Sequence, residues 1–163
     1  MDFILYCVVN NINDAAFYNL NKKLAPVYKI VYIWLHSKQK KLIRWTKNDS
    51  RFEPFHDFEH LRACADKVIH QGVKMGEGWL IPAEMAALAE TGTENIVCAQ
   101  PFGCLPNHIA GKGAVRAVKS LYENENIVPV DYDPSATRVN QENRIKLMLA
   151  TARENLERKQ NAV

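Results

Sequence analysis

The chain is short of cysteine, with four in 163 residues, at positions 7, 64, 98 and 104. A set so sparse and irregular is not the disulfide framework of a small secreted protein. The chain also lacks an apolar run long enough to cross a bilayer. Its N-terminal apolar run, Phe3 to Val9, is short, follows Asp2 rather than Lys or Arg, and ends in Asn10 and Asn11, so no signal peptide is expected. Internal repeats and low-complexity segments are absent, and so is a phosphate loop: Gly111-Lys112-Gly113 falls inside a predicted helix. Together these absences point to a cytoplasmic setting with no membrane partner. The length suits one ordinary domain with a real core.

What charge there is says little. The formal net charge is +3, and most of the excess lies in Lys38, Lys40, Lys41, Arg44 and Lys47. With no recognised binding module around it, that cluster reads as a solvated helix face, and no nucleic-acid partner is expected.

Hydrophobic spacing divides the chain near residue 50. Residues 1–50 offer a strand, Phe3 to Val9, and then a largely helical pattern through Leu20, Leu24, Val27, Val31, Trp34 and Leu35. The run Tyr28 to Leu35 is apolar enough that a buried strand is an alternative. Asn48-Asp49-Ser50 signals a turn and Pro54 closes a short linker. Residues 51–163 read as an α/β domain. A helix from Asp57 to about Gln71 buries Phe58, Leu61, Ala65 and Val68, and a loop follows with Gly72, Gly76 and Gly78. The next helix begins at Pro82 and stops at Thr91-Gly92. Strand Asn95 to Cys98, helix His108 to Tyr122, strand Ile127 to Asp131 and helix Val139 to Lys159 complete the order. Strands joined by helical crossovers of this length imply a parallel sheet with helices packed on it.

Ligands in such folds gather at the carboxyl ends of the strands, and two motifs converge there. One is Cys98-Ala-Gln-Pro-Phe-Gly-Cys104-Leu-Pro-Asn-His-Ile109, where two cysteines bracket a loop between a strand and a helix start. Unpaired N–H groups and the helix dipole favour a thiolate at Cys104, and metal binding is the chemistry two such thiolates suggest. The other is the turn Asp131-Tyr-Asp133-Pro.

Four blocks carry a resemblance: Gly76-Glu-Gly-Trp-Leu80, Cys98 to Ile109, Asp131-Tyr-Asp-Pro-Ser135, and Asn140-Gln-Glu-Asn-Arg-Ile-Lys146. In this order they resemble the C-terminal region of the large bacterial proteins related to acyl-CoA dehydratase activases. That group surrounds the activator and dehydratase components of 2-hydroxyglutaryl-CoA dehydratase. The likeness is close from Glu77 to Ala152, looser from Arg51 to Gly76, and faint before that. It implies a Rossmann-like or flavodoxin-like half of a dehydratase-type subunit, in an oxygen-sensitive iron–sulfur protein of anaerobic metabolism. In related dehydratases a cluster-borne electron reaches a 2-hydroxyacyl-CoA thioester and allows elimination of water through a ketyl radical. A partner activase with an actin-like fold drives the transfer with ATP.

Carried onto this chain, the resemblance makes Cys98 and Cys104 ligands of a 4Fe–4S cluster, with Cys7 as a weaker third. Gln100, Asn107, His108, Asp131 and Asp133 are then candidates to hydrogen-bond the cluster's ligands or to bind substrate. With too few ligands for a cluster and no nucleotide loop, the chain reads as a piece of a longer polypeptide. Its partners would be the remainder of that polypeptide or a dehydratase or activase subunit, with acyl-CoA as ligand. As such a piece it is expected to be inactive alone, to hold no cluster after purification in air, and to pair as a homodimer through the apolar run around Trp34.

Plainer readings stand beside these. Cys98 and Cys64 suit a core, Asp131 and Asp133 suit turn or helix caps, and Trp79 suits a core. A non-catalytic interaction domain with an incomplete cluster site is one alternative. Another is a zinc peptidase, since His56-Asp-Phe-Glu59-His60 has the HxxEH spacing.

Overall fold

In the first 17 residues the buried side chains are Leu5, Tyr6, Val9, Asn10, Asn13 and Asp14, the spacing of one helix face. The computed structural model accordingly forms helix α1 over Asp2–Phe17, where hydropathy predicts a strand at its start. The buried stripe is continued by two asparagines and an aspartate, which a hydropathy count scores as surface. Cys7, expected within that strand, therefore lies exposed on α1. The structure describes residues 1–51, 56–133 and 138–161. Pro54, Pro134 and Ser135 lie outside those residues.

Helix α2 spans Ala25–Lys47 and starts with a proline in its first turn. The apolar run Tyr28 to Leu35 is helical throughout. Helix α3 spans Phe58–Val68. Asp57 caps it, accepting from the Glu59 amide at 2.9 Å and lying 2.7 Å from His36 Nε2. Helix α4 spans Leu80–Glu90. It ends in the pair of bonds that closes many helices, Thr93 N–H to the Leu88 carbonyl and Gly92 N–H to the Ala89 carbonyl, with Gly92 at φ 89°.

Contacts divide the chain into Met1–Ala87 and Leu88–Val163. The predicted division near residue 50 falls inside the first unit, because aromatic packing crosses it. The Trp79 ring centroid lies 4.9 Å from that of Tyr6 and 6.0 Å from that of Phe58. Trp79 is fully buried, and its indole N–H donates to Asn10 Oδ1 at 2.8 Å. The glycine before it is required by space: a Cβ on Gly78 would come within 2.0 Å of the Val73 carbonyl oxygen.

The second unit holds strands β1 (Asn95–Pro101) and β2 (Asn126–Tyr132), paired in parallel from Asn95 against Asn126 to Pro101 against Tyr132. Helix α5, Lys112–Leu121, forms the crossover between them, entered through a π-helical turn at Asn107–Gly111. Helix α6, Arg138–Asn161, packs on β2. Mixed α/β architecture with a parallel sheet thus agrees with the sequence reading; the described residues contain two strands. β1 buries alternate residues, so Ile96, Cys98 and Gln100 face inward. At the amino ends of the strands, Asn126 Nδ2 donates to both Asn95 Oδ1 and the Met148 carbonyl, joining β2 to β1 and α6.

Candidate functional site

Because β1 and β2 run parallel and in register, the segments leaving Pro101 and Tyr132 emerge at the same edge. The Phe102 amide donates to the Tyr132 carbonyl at 3.2 Å and extends that pairing by one residue. Gly103 then turns the chain at φ 70°, a value open to glycine at no steric cost. The first helical turn starts at Cys104, whose carbonyl accepts from the His108 amide at 3.1 Å. A cavity of about 770 Å³ opens beside this loop. Gln100 and His108 line it from the first motif, Asp131 and Asp133 from the second, and Asn140 and Arg144 from α6. A volume of that size suits a small organic ligand.

Asn107 fastens the loop to the sheet. Its Nδ2 donates to the Ala99 carbonyl at 2.6 Å, its Oδ1 accepts from Cys104 Sγ at 3.2 Å, and its carbonyl accepts from Gln100 Nε2 at 3.1 Å. Gln100 is fully buried, and its Oε1 has no hydrogen-bond partner. Asp131 sits between an imidazole and a guanidinium, with His108 Nδ1 at 3.8 Å and Arg144 Nη2 at 3.9 Å. Both separations exceed direct hydrogen-bond length, so among the described residues these two side chains leave room for a bridging water or ligand at the carboxylate. Gln141 Nε2 donates to the Asp131 carbonyl at 3.1 Å, so α6 is tied to the strand end that carries this carboxylate.

The predicted site residues thus fall into three groups. Gln100, His108, Asp131 and Asp133 share the cavity, and Asn107 positions its wall. Cys104 is partly exposed and engaged with Asn107, while Cys98 is buried on the inner face of β1. Burial pushes the Cys98 thiol up, with Gln100 opposing part of that rise. Cys7 belongs to the first unit. Arg144 is the residue the site reading missed. It stands in the last of the four blocks, but neither its type nor its spacing distinguishes it from a solvated helix arginine.

A 4Fe–4S cluster takes four protein ligands, or three and an exogenous one. Among the described residues of the second unit, no three His, Cys, Asp or Glu side chains bring ligand atoms within 4.8 Å of one another. Cys98 and Cys104 supply two ligands at most, so the described residues of this unit do not by themselves fit such a cluster.

The HxxEH segment is not arranged as one helical face. His56 lies outside α3, ahead of the capping Asp57. Glu59 accepts from the Tyr32 hydroxyl and pairs with Arg62 at 3.2 Å. Cys64 is buried in α3, as a core reading predicts.

Searches of protein-family models, of curated proteins and of solved structures find no match to this chain.

Proposed function

We propose that the second unit is the Rossmann-like or flavodoxin-like half of a subunit in a 2-hydroxyacyl-CoA dehydratase and activase system, and that its cavity takes the acyl-thioester end of a CoA substrate. One observation supports this above the others. Three of the sequence blocks that carry the resemblance, at 98–109, 131–135 and 140–146, contribute lining residues to one cavity. Parallel pairing brings the first two blocks to one edge, and α6 adds polar residues of the third, Asn140 and Arg144, to the same cavity wall.

In this reading the chain's own residues bind and orient. Arg144 and His108 present N–H groups to the thioester carbonyl or the 2-hydroxyl, and Asp131 lies between the two side chains. A cluster ligated by Cys98 and Cys104 would draw its remaining ligands from the rest of the polypeptide or from a partner subunit. When assembled it would supply one-electron chemistry; the described residues perform no redox step. That no third ligand joins Cys98 and Cys104 among the described residues of the unit also favours a second reading, a non-catalytic interaction domain.

Calorimetric titration of the chain with a 2-hydroxyacyl-CoA tests the first reading. We expect saturable binding that Arg144→Gln weakens about tenfold, the loss of roughly one charge-assisted hydrogen bond. Absence of binding by a protein whose circular dichroism is native would favour the interaction domain. Zinc bound tightly at neutral pH and lost in His60→Ala would favour the peptidase.

A further inference from the structure

Between Asp14 and Asp49 the chain carries eight Lys or Arg and no Asp or Glu. Six of those cations lie in α2, which therefore has no acidic neighbour of its own at any position. One side of α2 turns Tyr32, His36 and Gln39 inward. The opposite side leaves Val27, Ile30, Trp34 and Trp45 exposed by 54, 69, 59 and 69 % of their surfaces. Positions 27, 34 and 45 are separated by seven and eleven residues, close to two and three turns, so they form one line along the helix. Lys38 and Lys41 flank that line, and Lys38 Nζ sits 5.4 Å from the Trp34 ring centre.

A surface of this composition needs a partner that is apolar and negative at once. A second copy of the chain would supply apolar cover, but it would set one carboxylate-free cationic helix against another. A nucleic acid would neutralise the cations and leave Val27, Ile30 and the indole rings without apolar surroundings. An anionic bilayer surface meets both requirements. Indole rings favour the headgroup level, aliphatic side chains reach the acyl boundary, and Lys and Arg stems extend back to the phosphates and carboxylates.

We propose that α2 lies in the plane of an anionic lipid surface with Trp34 and Trp45 directed into it. This surface departs from the sequence reading of a solvated basic face. It concerns lying on a membrane and not crossing one: no helix of the described residues is long and apolar enough to span. The proposal is independent of the dehydratase reading, which concerns the second unit.

The test is flotation of the whole chain with phosphatidylcholine vesicles containing about 30 mol% phosphatidylserine, read together with tryptophan emission. Trp79 is fully buried, so any blue shift on binding reports Trp34 and Trp45. We expect co-flotation and a blue shift, both reversed by high salt. Lys38→Gln, Lys41→Gln and Arg44→Gln combined should weaken binding about a hundredfold, at roughly one factor of five per cation. Trp34→Ala with Trp45→Ala should abolish the blue shift and leave the unfolding midpoint unchanged, since both side chains are exposed. Lack of flotation, or equal flotation with neutral vesicles, would overturn the proposal. Preferential binding of duplex DNA, or a stable dimer that shields Trp34 and ignores vesicles, would overturn it equally.

Discussion

Arg144 Nη1 donates to the Pro129 carbonyl at 3.2 Å, so a helix side chain satisfies a backbone group of the strand beneath it. Pro129 has no N–H to contribute to a ladder, a feature tolerated at a sheet edge or at a position facing away from the partner strand. The same guanidinium reaches toward Asp131 at the cavity. One arginine thus joins α6, β2 and the candidate site.

Replacing Arg144 should consequently affect docking of α6 as well as ligand binding. Arg144→Ala is expected to lower stability by about 1 kcal/mol, because the bond is partly exposed. Arg144→Lys keeps the charge but not the fork that serves Pro129 and Asp131 together, and should recover only part of the loss. Urea unfolding midpoints of the three proteins decide this. An Arg144→Ala midpoint equal to wild type would show that α6 docks without the bond.

Asn107 makes two side-chain hydrogen bonds, one to the Ala99 carbonyl and one from Cys104. Asn107→Ala should cost about 2 kcal/mol, and Asn107→Asp should restore little, since a carboxylate cannot donate to Ala99. Amide exchange within β1 would rise in both. Unchanged protection at the end of the strand would assign the loop's position to packing instead.

Trp79 and Asn10 test the core of the first unit. Asn10→Ala leaves a buried indole N–H without its acceptor, and a loss of about 1–3 kcal/mol is expected. Asn11→Ala is the control, because that side chain bonds only within its own helix at the surface. Equal effects of the two substitutions would count against a buried polar anchor.

Tyr6 makes the first unit sensitive to alkali. Burial pushes its hydroxyl up to about 12, and the hydroxyl donates to the Lys74 carbonyl at 2.8 Å. An unfolded tyrosine titrates near 10. Stability from this group is therefore complete below about pH 10 and declines as pH rises from about 10 to 12. Tyr6→Phe should lower stability at neutral pH by about 1 kcal/mol and flatten the alkaline limb of the curve. An alkaline limb of unchanged slope would assign that loss to other groups.

Thiol labelling should separate the cysteines by burial. Cys7 is exposed and should react at once, whereas Cys64 and Cys98 should wait for unfolding. Mass spectrometry after a short pulse of iodoacetamide reads the order. Rapid modification of Cys98 in native protein would show that the inner face of β1 opens on its own.

Some of this architecture is legible from local chemistry. Both strands follow from short apolar segments near residues 95 and 127, and the Gly92 stop follows from the need for a positive φ after α4. The convergence of the two motifs at one edge follows from parallel pairing, since strands joined by a helical crossover must leave the sheet on the same side. In the first unit, α2 is readable from period, although its middle is apolar all round.

What the sequence by itself determined is therefore periodic: which segments coil, which extend, and at which edge Cys104 and Asp131 emerge. Tertiary structure decided the rest, because burial is a property of neighbours. It made α1 a helix by enclosing Asn10, Asn13 and Asp14, polar residues whose partners lie far along the chain. It joined Tyr6, Phe58 and Trp79 across the predicted boundary. It left Cys98 and Cys104 without a third ligand among the described residues of their unit, and it turned Arg144, one cation among many on a long helix, into the residue that holds the strand, the helix and the cavity together.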